Sequence, residues 1–238
     1  VNITIVGTGK AGSSFAIALR EAGHVVALIH HDEVSTIAST DVILLCVPDD
    51  HIKEVAKRIP LSDSYVVAHV AGSRGLAELE SQHRSGFMHP LAALPSAEIG
   101  AKRLAGALYS VGGDDVIEEL VGSLQGRTIR LSDDQRIGYH ATASVAANHV
   151  VALAGHVQVL AESVGLSLED FLPLAQQALD DVSTLGVRAA LTGPASRADM
   201  ATIDAHLASI PESERSTYVT MANAAFELAE QRRLIAHN

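Results

Sequence analysis

Three glycines near the start of the chain are spaced to receive a phosphate. The run NITIVGTGKAG, residues 2–12, leads from an apolar, strand-like segment, Ile3–Val6, into Gly7-x-Gly9-x-x-Gly12. Gly7 allows the tight turn. Gly9 has no Cβ, so a pyrophosphate can approach the backbone, and Gly12 lets the following helix pack against the strand. The free N–H groups and positive dipole end of that helix then face the phosphates. Thr8, Lys10 and Ala11 complete the loop, and Val47 and Pro48, after a later apolar run, are expected to line the same trough. A glycine-rich turn without a ligand is the plain alternative; the position directly after a strand-like run favours the dinucleotide.

A second constellation lies in YHATASVAANHVVALAG, where His140, Ser144 and Asn148 follow one another at intervals of four. On a helix this spacing makes one polar stripe. Polar side chains on an otherwise apolar helix need partners or face a cleft. His149 falls off the stripe, packed or exposed. Further on, LTGPASRAD makes a polar turn into a helix. There Arg197 suits a bidentate grip on a carboxylate, and Asp199 can cap the helix or orient Arg197.

The elements that must position these groups alternate over the first half of the chain. Strands are expected at Ile3–Val6, Val25–Ile29, Val42–Val47, Tyr65–His69, Gly86–His89, Ala107–Val111 and Thr128–Leu131. Helices are expected at Ala11–Glu21, Asp50–Arg58, Leu76–Gln82 and Val116–Gln125. Such alternation predicts a doubly wound, mainly parallel sheet. Only a turn and a stub of helix fit between the second strand and Val42, so the edge that borders the adenosine ribose is shortened. From about Asp133 the period becomes helical. One long helix is expected over about 134–164, a second over 167–185 (broken or entered near Pro173), a third near 199–208 and a last over 212–233. The expected domains are a Rossmann dinucleotide-binding domain, 1–132, and an all-helical substrate and dimerisation domain, 133–238.

In an open α/β sheet, ligands bind beyond the carboxyl ends of the strands. Asp32 stands about 20 residues past Gly12, the place of a ribose-binding acid. No arginine is near it in the sequence to hold a 2′-phosphate, and His30 and His31 do so weakly when protonated. NAD and NADP therefore both stay open, as does a plain role for Asp32 in an exposed loop. Asp49, in the turn Pro48-Asp49-Asp50, is expected to cap the next helix. His69 and His89 end apolar strands on the ligand side; each is either a site residue or a hydrogen-bonded structural histidine. His24 reads as part of a turn and His237 as tail. The chain has 12 histidines, but none has the spacing beside a carboxylate that gives three ligands, so no metal site is expected.

Composition excludes several classes. A net charge of −11 argues against nucleic acid or an anionic membrane surface. Hydrophobic content of 47% is ample for a core. The single cysteine, Cys46, cannot form an intramolecular disulfide and reads as a small buried hydrophobe. No apolar stretch is expected to reach the length of a membrane span, and the chain opens on its first strand without a signal segment. These features lead to the expectation of a cytoplasmic protein.

The segments VGTGKAG, DVILLCVPDDHI, HVAGS, GFMHPLAAL, GYHATASVAANHVVAL and ALTGPASRADMATIDAHL span nearly the whole chain. Together they resemble the 6-phosphogluconate dehydrogenase-like superfamily, which includes β-hydroxyacid dehydrogenases, pyrroline-5-carboxylate reductases and ketopantoate reductases. The likeness is closest to a Rossmann-like branch described as a domain of unknown function. It implies a homodimer through the helical domain and a site in the cleft between domains. In β-hydroxyacid dehydrogenases a catalytic lysine precedes an asparagine by four residues on the long helix. Asn148 matches the asparagine, and Ser144 stands at the lysine position. The resemblance thus implies an NAD(P)-dependent oxidoreductase acting on a small keto acid, ketopantoate-like, or an imine. His140 would donate the proton, Ser144 polarise a carbonyl, Asn148 hold the substrate and Arg197 grip its carboxylate. His69 and His89 would shape the nicotinamide end. The alternative is a non-catalytic dinucleotide- or metabolite-binding protein on the same fold; a structural dimer without a ligand is the third class.

Overall fold

A computed structural model describes residues 1–37 and 39–236; His237 lies outside them. The chain divides into two compact units, Val1–Ala147 and Asn148–Asn238.

The first unit runs β1 (Asn2–Val6), α1 (Lys10–Glu21), β2 (Val25–Ile29), β3 (Val42–Leu45), α2 (Ile52–Arg58), β4 (Val66–His69), β5 (Ser85–Pro90), α3 (Ala97–Leu104), β6 (Leu108–Gly113), α4 (Val116–Ser123), β7 (Arg127–Ile129) and α5 (Asp133–Ser144). The strands form one seven-stranded sheet in the order β2-β1-β3-β4-β5-β6-β7. Every pairing is parallel except β5 with β6. Alternation along the central strands sends side chains to two cores. Ile3, Ile5, Val42 and Leu44 face one cluster with Phe15 and Leu19. Val6, Ile43 and Leu45 face the other with Ile52 and Val55. This is the doubly wound arrangement expected from the sequence.

The sheet ends at β2, and among the described residues a 3-10 turn, His31–Thr36, is the only helical element in the place of the next crossover helix. Edge strands leave a row of backbone groups unpaired. Here the Arg20 guanidinium, reaching back from α1, donates to the carbonyl of Val26 through Nη2 at 2.9 Å and Nε at 3.3 Å.

Several expectations are corrected. Leu76–Gln82 is no full helix but a 3-10 turn over Leu76–Leu79. The helix α3 was not anticipated; Ser96 caps it by accepting from the N–H of Ile99 at 3.3 Å. Gly100 within it allows close packing on α1, because a Cβ there would lie 2.1 Å from Ser14 Oγ. Asp49 caps nothing: it lies inside a 3-10 turn, Asp49–His51, and its carboxylate accepts from Ser73 Oγ at 3.2 Å.

The second unit is helical: α6 (Val150–Ser163), α7 (Leu168–Leu185), α8 (Val187–Ala190), α9 (Gly193–Arg197), α10 (Met200–Ser209) and α11 (Arg215–Ala236). Pro173 sits inside α7 without ending it. A π turn, Val145–His149, joins α5 to α6, so the long helix is not regular and the four-residue stripe does not carry through it unchanged. The division between units falls within this helical run rather than at Asp133. The reason is local: the first turns of α5 pack on the sheet unit, as described below. The joined run, Asp133–Ser163, has 31 residues, and an 18-residue window within it reaches a mean hydropathy of 1.3, long and apolar enough by length and composition to cross a membrane. That departs from the expectation that no stretch reaches this length; the π turn joins the polar start of α5 to α6, which is rich in alanine and valine.

Candidate active site

Strand order reverses between β1 and β3, because β1 continues to β2 on one side while β3 lies on the other. Ligands of open α/β sheets bind at such a switch point. The loop after β1 is the glycine triplet, and its geometry separates the three roles. Gly7 has φ +117°, and a Cβ on it would lie 2.4 Å from the Cys46 carbonyl oxygen. A Cβ on Gly12 would lie 1.8 Å from the Gly7 carbonyl oxygen. Both are locked by backbone. Gly9, in contrast, has nothing within 4 Å of that position. Its backbone is extended, it precedes the first turn of α1, and no side chain caps that turn. The loop therefore presents bare amides to open space, as a diphosphate requires. Thr8, Gly9 and Lys10 are exposed and Ala11 is half-buried. Across the switch point, Val47 is half-buried and Pro48 exposed.

At the β2 edge of the sheet, Asp32 is bracketed by His30 Nδ1 at 3.1 Å and His31 Nε2 at 3.5 Å. Sequence reasoning missed its third neighbour. Arg58, at the end of α2, donates from Nη2 to the Asp32 carbonyl at 3.3 Å, with Nη1 4.0 Å from its carboxylate. His30, His31 and Asp32 also bring three potential metal-ligand atoms within 4.8 Å of one another, a grouping the spacing did not suggest. All three are substantially exposed, and His30 also takes part in a capping box with Glu33.

The loops after β3 and β4 converge. Arg74 pairs with Asp50 at 2.7 Å, and Ser73 with Asp49. His69 is fully buried and both ring nitrogens have backbone partners: Nε2 at 3.1 Å from the Gly75 carbonyl, Nδ1 accepting from the Ala71 N–H at 3.2 Å. Burial pushes its pKa down to about 4. This is a structural histidine that shapes the loop Ala71–Gly75, not one open to a ligand. Phe87 stacks on it at 5.7 Å, and the guanidinium of Arg136 lies 3.9 Å over the Phe87 ring. Arg136 is 4% exposed and pairs with Asp133 at 3.1 Å. This buried column ties α5 to the sheet unit.

His89 and His140 meet edge to face at 5.6 Å, and Tyr139 meets His89 at 5.9 Å. Gly72 makes room for them. A Cβ there would lie 2.4 Å from His140 Cδ2 and 2.7 Å from His89 Nε2. Burial first, then the neighbouring His140, holds the His89 pKa near 4. His89 Nδ1 and Tyr139 Oη are buried and have no hydrogen-bond partner among the described residues. Unpaired buried polar atoms are costly, so this cluster of imidazoles and a phenol is where a ligand's polar group would be satisfied. Tyr139 was quoted in the sequence motif but given no role.

The structure thus brings His89 and His140 together, with His69 supporting them. Ser144 is half-buried at the end of α5. Asn148 is exposed within the π turn and, like Ser144, forms no side-chain hydrogen bond to the described residues. In the second unit Arg197 is exposed, and Asp199 caps α10, accepting from Thr202 N–H at 3.1 Å and Thr202 Oγ1 at 2.8 Å.

Residues 111–225 match a family model described as a domain of unknown function, DUF2520. No curated protein matches the sequence. Solved structures do match in fold. A Bacteroides fragilis protein described as a candidate NADP oxidoreductase superposes with a TM-score of 0.81 at 17% identity, covering 95% of this chain and 98% of its own. A reductive aminase from Aspergillus terreus, in complex with NADPH4, cyclohexanone and allyl amine, gives 0.67 at 16% identity, over 95% and 93%. The pyrroline carboxylate reductase of Plasmodium falciparum, with NADP bound, gives 0.62 at 13% identity, over 97% of both. The chain therefore shares its Rossmann-type fold, with a helical C-terminal region, with these proteins, and is similar to DUF2520 over residues 111–225.

Proposed function

We propose that the chain is an NAD(P)-dependent oxidoreductase acting on a small keto acid or imine. The observation that carries this reading is the open backbone at Gly9 between two glycines locked by their surroundings, at the sheet's switch point. Backbone amides of residues 9–11 hold the diphosphate, and Val47 and Pro48 flank it. A bound nicotinamide supplies the hydride. The chain's own part is to place the acceptor and move a proton. His89, held neutral, offers a hydrogen bond without a charge, and Tyr139 offers a second. His140 carries the proton to the developing alkoxide or amine. Asn148 and Arg197, both on the helical unit, are assigned to the substrate by likeness. A second copy is the partner this reading implies, since Leu174 on α7 is 64% exposed and Leu172, Leu179 and Leu185 beside it are open as well.

The test is a titration with NADPH and NADH followed by a panel of 2-keto acids and cyclic imines. His140→Ala is expected to keep cofactor affinity and lose about 10²–10⁴ in rate. Failure to bind either dinucleotide overturns the reading. Binding without turnover of any panel member favours the second reading, a non-catalytic dinucleotide-binding protein, for which Ser144 at the position of the related lysine speaks.

Arg58 bears on the choice of cofactor. Its guanidinium beside Asp32 offsets the carboxylate that would repel a 2′-phosphate. Arg58→Ala is expected to weaken NADPH about tenfold and leave NADH unchanged, about the effect of one charged hydrogen bond. Equal loss for both dinucleotides would remove Arg58 from cofactor choice.

A further inference from the structure

The helical unit holds an open groove of about 340 Å³ that the oxidoreductase reading does not use, with Leu153 and Met221 exposed along it. Its body is apolar, formed by Leu153 and Leu160 of α6, Ile203 of α10 and Met221 of α11. Three polar side chains, His156, Tyr218 and Thr192, break that pattern at its wall. His156 lines the groove, is nine-tenths buried, and sets Nδ1 2.6 Å from Glu214 Oε2.

The proton in that contact can be placed. Its hydrogen bond to His156 holds the Glu214 carboxyl below the usual carboxylate range. Glu214 is therefore ionised at neutral pH and can only accept. Nδ1 carries the hydrogen, and in the neutral ring Nε2 is left as a bare lone pair. Nε2 has no hydrogen-bond partner among the described residues. The other polar ring on the wall, Tyr218, is engaged elsewhere, with its hydroxyl 2.7 Å from His206 Nδ1. The other carboxylate oxygen of Glu214 accepts from Ser213 Oγ at 3.1 Å. No lysine or arginine lines the groove among the described residues. An acceptor backed by a carboxylate, with no cation beside it, suits a donor that carries positive charge and disfavours an anion.

We propose that this groove is a binding site for a small primary alkylamine: the ammonium group donates to His156 Nε2, and a short branched aliphatic chain fills the space between Leu153, Leu160, Ile203 and Met221. Its size suits a compact ligand, at the small end of ligand pockets. Its lining residues belong to the helical unit, and those of the glycine loop and the His89–His140 cluster to the other.

Calorimetric titration of the whole chain with 3-methylbutylamine, and separately with 3-methylbutanoate, tests this. The amine is expected to bind one to one and the carboxylate not at all. His156→Phe removes the acceptor and Ala222→Leu fills the groove; each is expected to weaken the amine tenfold or more, with NADPH affinity unchanged. Nitrogen-15 spectra of the unsubstituted chain, in which His156 Nε2 shifts on addition of amine, read the same contact without any variant. The proposal is overturned if the amine fails to bind, if the carboxylate binds as tightly, or if neither variant weakens the amine. It is also overturned if sedimentation shows a dimer that Ala222→Leu dissociates, because the groove then belongs to a second copy.

Discussion

Gly9→Ala is expected to leave the stability of the chain within about 0.5 kcal/mol of its starting value and to lower dinucleotide affinity at least tenfold, whereas Gly12→Ala destabilises the sheet unit itself. The difference lies in what each new methyl meets. At Gly9 the backbone is extended, with φ −71°, and nothing stands within 4 Å. Alanine is tolerated there in the absence of ligand, and only a diphosphate pressed against the backbone would feel it. At Gly12 the methyl would lie 1.8 Å from the Gly7 carbonyl oxygen, so α1 must move away from β1. Overpacking against rigid backbone costs about 3 kcal/mol or more. Chemical denaturation and NADPH titration on both variants check the pair. A stable Gly9→Ala chain with undiminished affinity would place the dinucleotide elsewhere.

Acid is expected to destabilise the chain well above the range where its carboxylates titrate. His69 has a folded pKa of about 4 against 6.5 for the free side chain, because burial disfavours the charged ring. Between these values the unfolded chain binds more protons than the folded one, so stability rises with pH. This contribution is fully present above pH 6.5 and is lost as pH falls through about 4. At 1.36 kcal/mol per unit, His69 alone accounts for about 3 kcal/mol over that window. His89 adds in the same direction, since burial and then His140 lower its pKa to about 4; His24, lowered chiefly by burial, adds less. Asp114 and Glu214 have carboxyl pKa values held below their usual range, so their effects fall lower on the pH scale. Urea denaturation at pH 7, 5.5 and 4.5 reads the effect, and His69→Gln should flatten the dependence. Equal stability at pH 7 and 4.5 would contradict the burial of these rings.

What the sequence disclosed and what it withheld follow from the range of the forces involved. The glycine loop was legible because turn, close approach and helix start are local requirements met within six residues. The parallel alternation and the missing edge helix were legible from spacing alone. The antiparallel return of β6 was not, because strand direction depends on partners far along the chain. In α3, Gly100 and the short length weaken the helical pattern, although Ser96 as a cap was a usable signal. At the site, His140 was readable as one member of a polar stripe. Its partner His89 comes from β5, and Gly72 between them comes from the loop after β4. Arg58 and Arg136 were overlooked for a similar reason. One reaches Asp32 and the other Phe87 only after folding. His69 was placed at a strand end correctly, but its two backbone partners depend on the loop conformation. The π turn within VAANH has no compositional signature, so the register of Asn148 could not be read from spacing.

The guanidinium of Arg20 on the outer carbonyl of β2 has a bearing beyond the cofactor. Shedding the usual neighbouring strand leaves the sheet with a border that any extended peptide could copy. β2 reads VVALI, with no charge of its own to discourage such a guest. Arg20 stations that charge from outside the strand, so a chain seeking to extend the ribbon must first evict a cation from the carbonyl it covers. A sheet that ends at β2 thus covers part of its border with one residue borrowed from a helix.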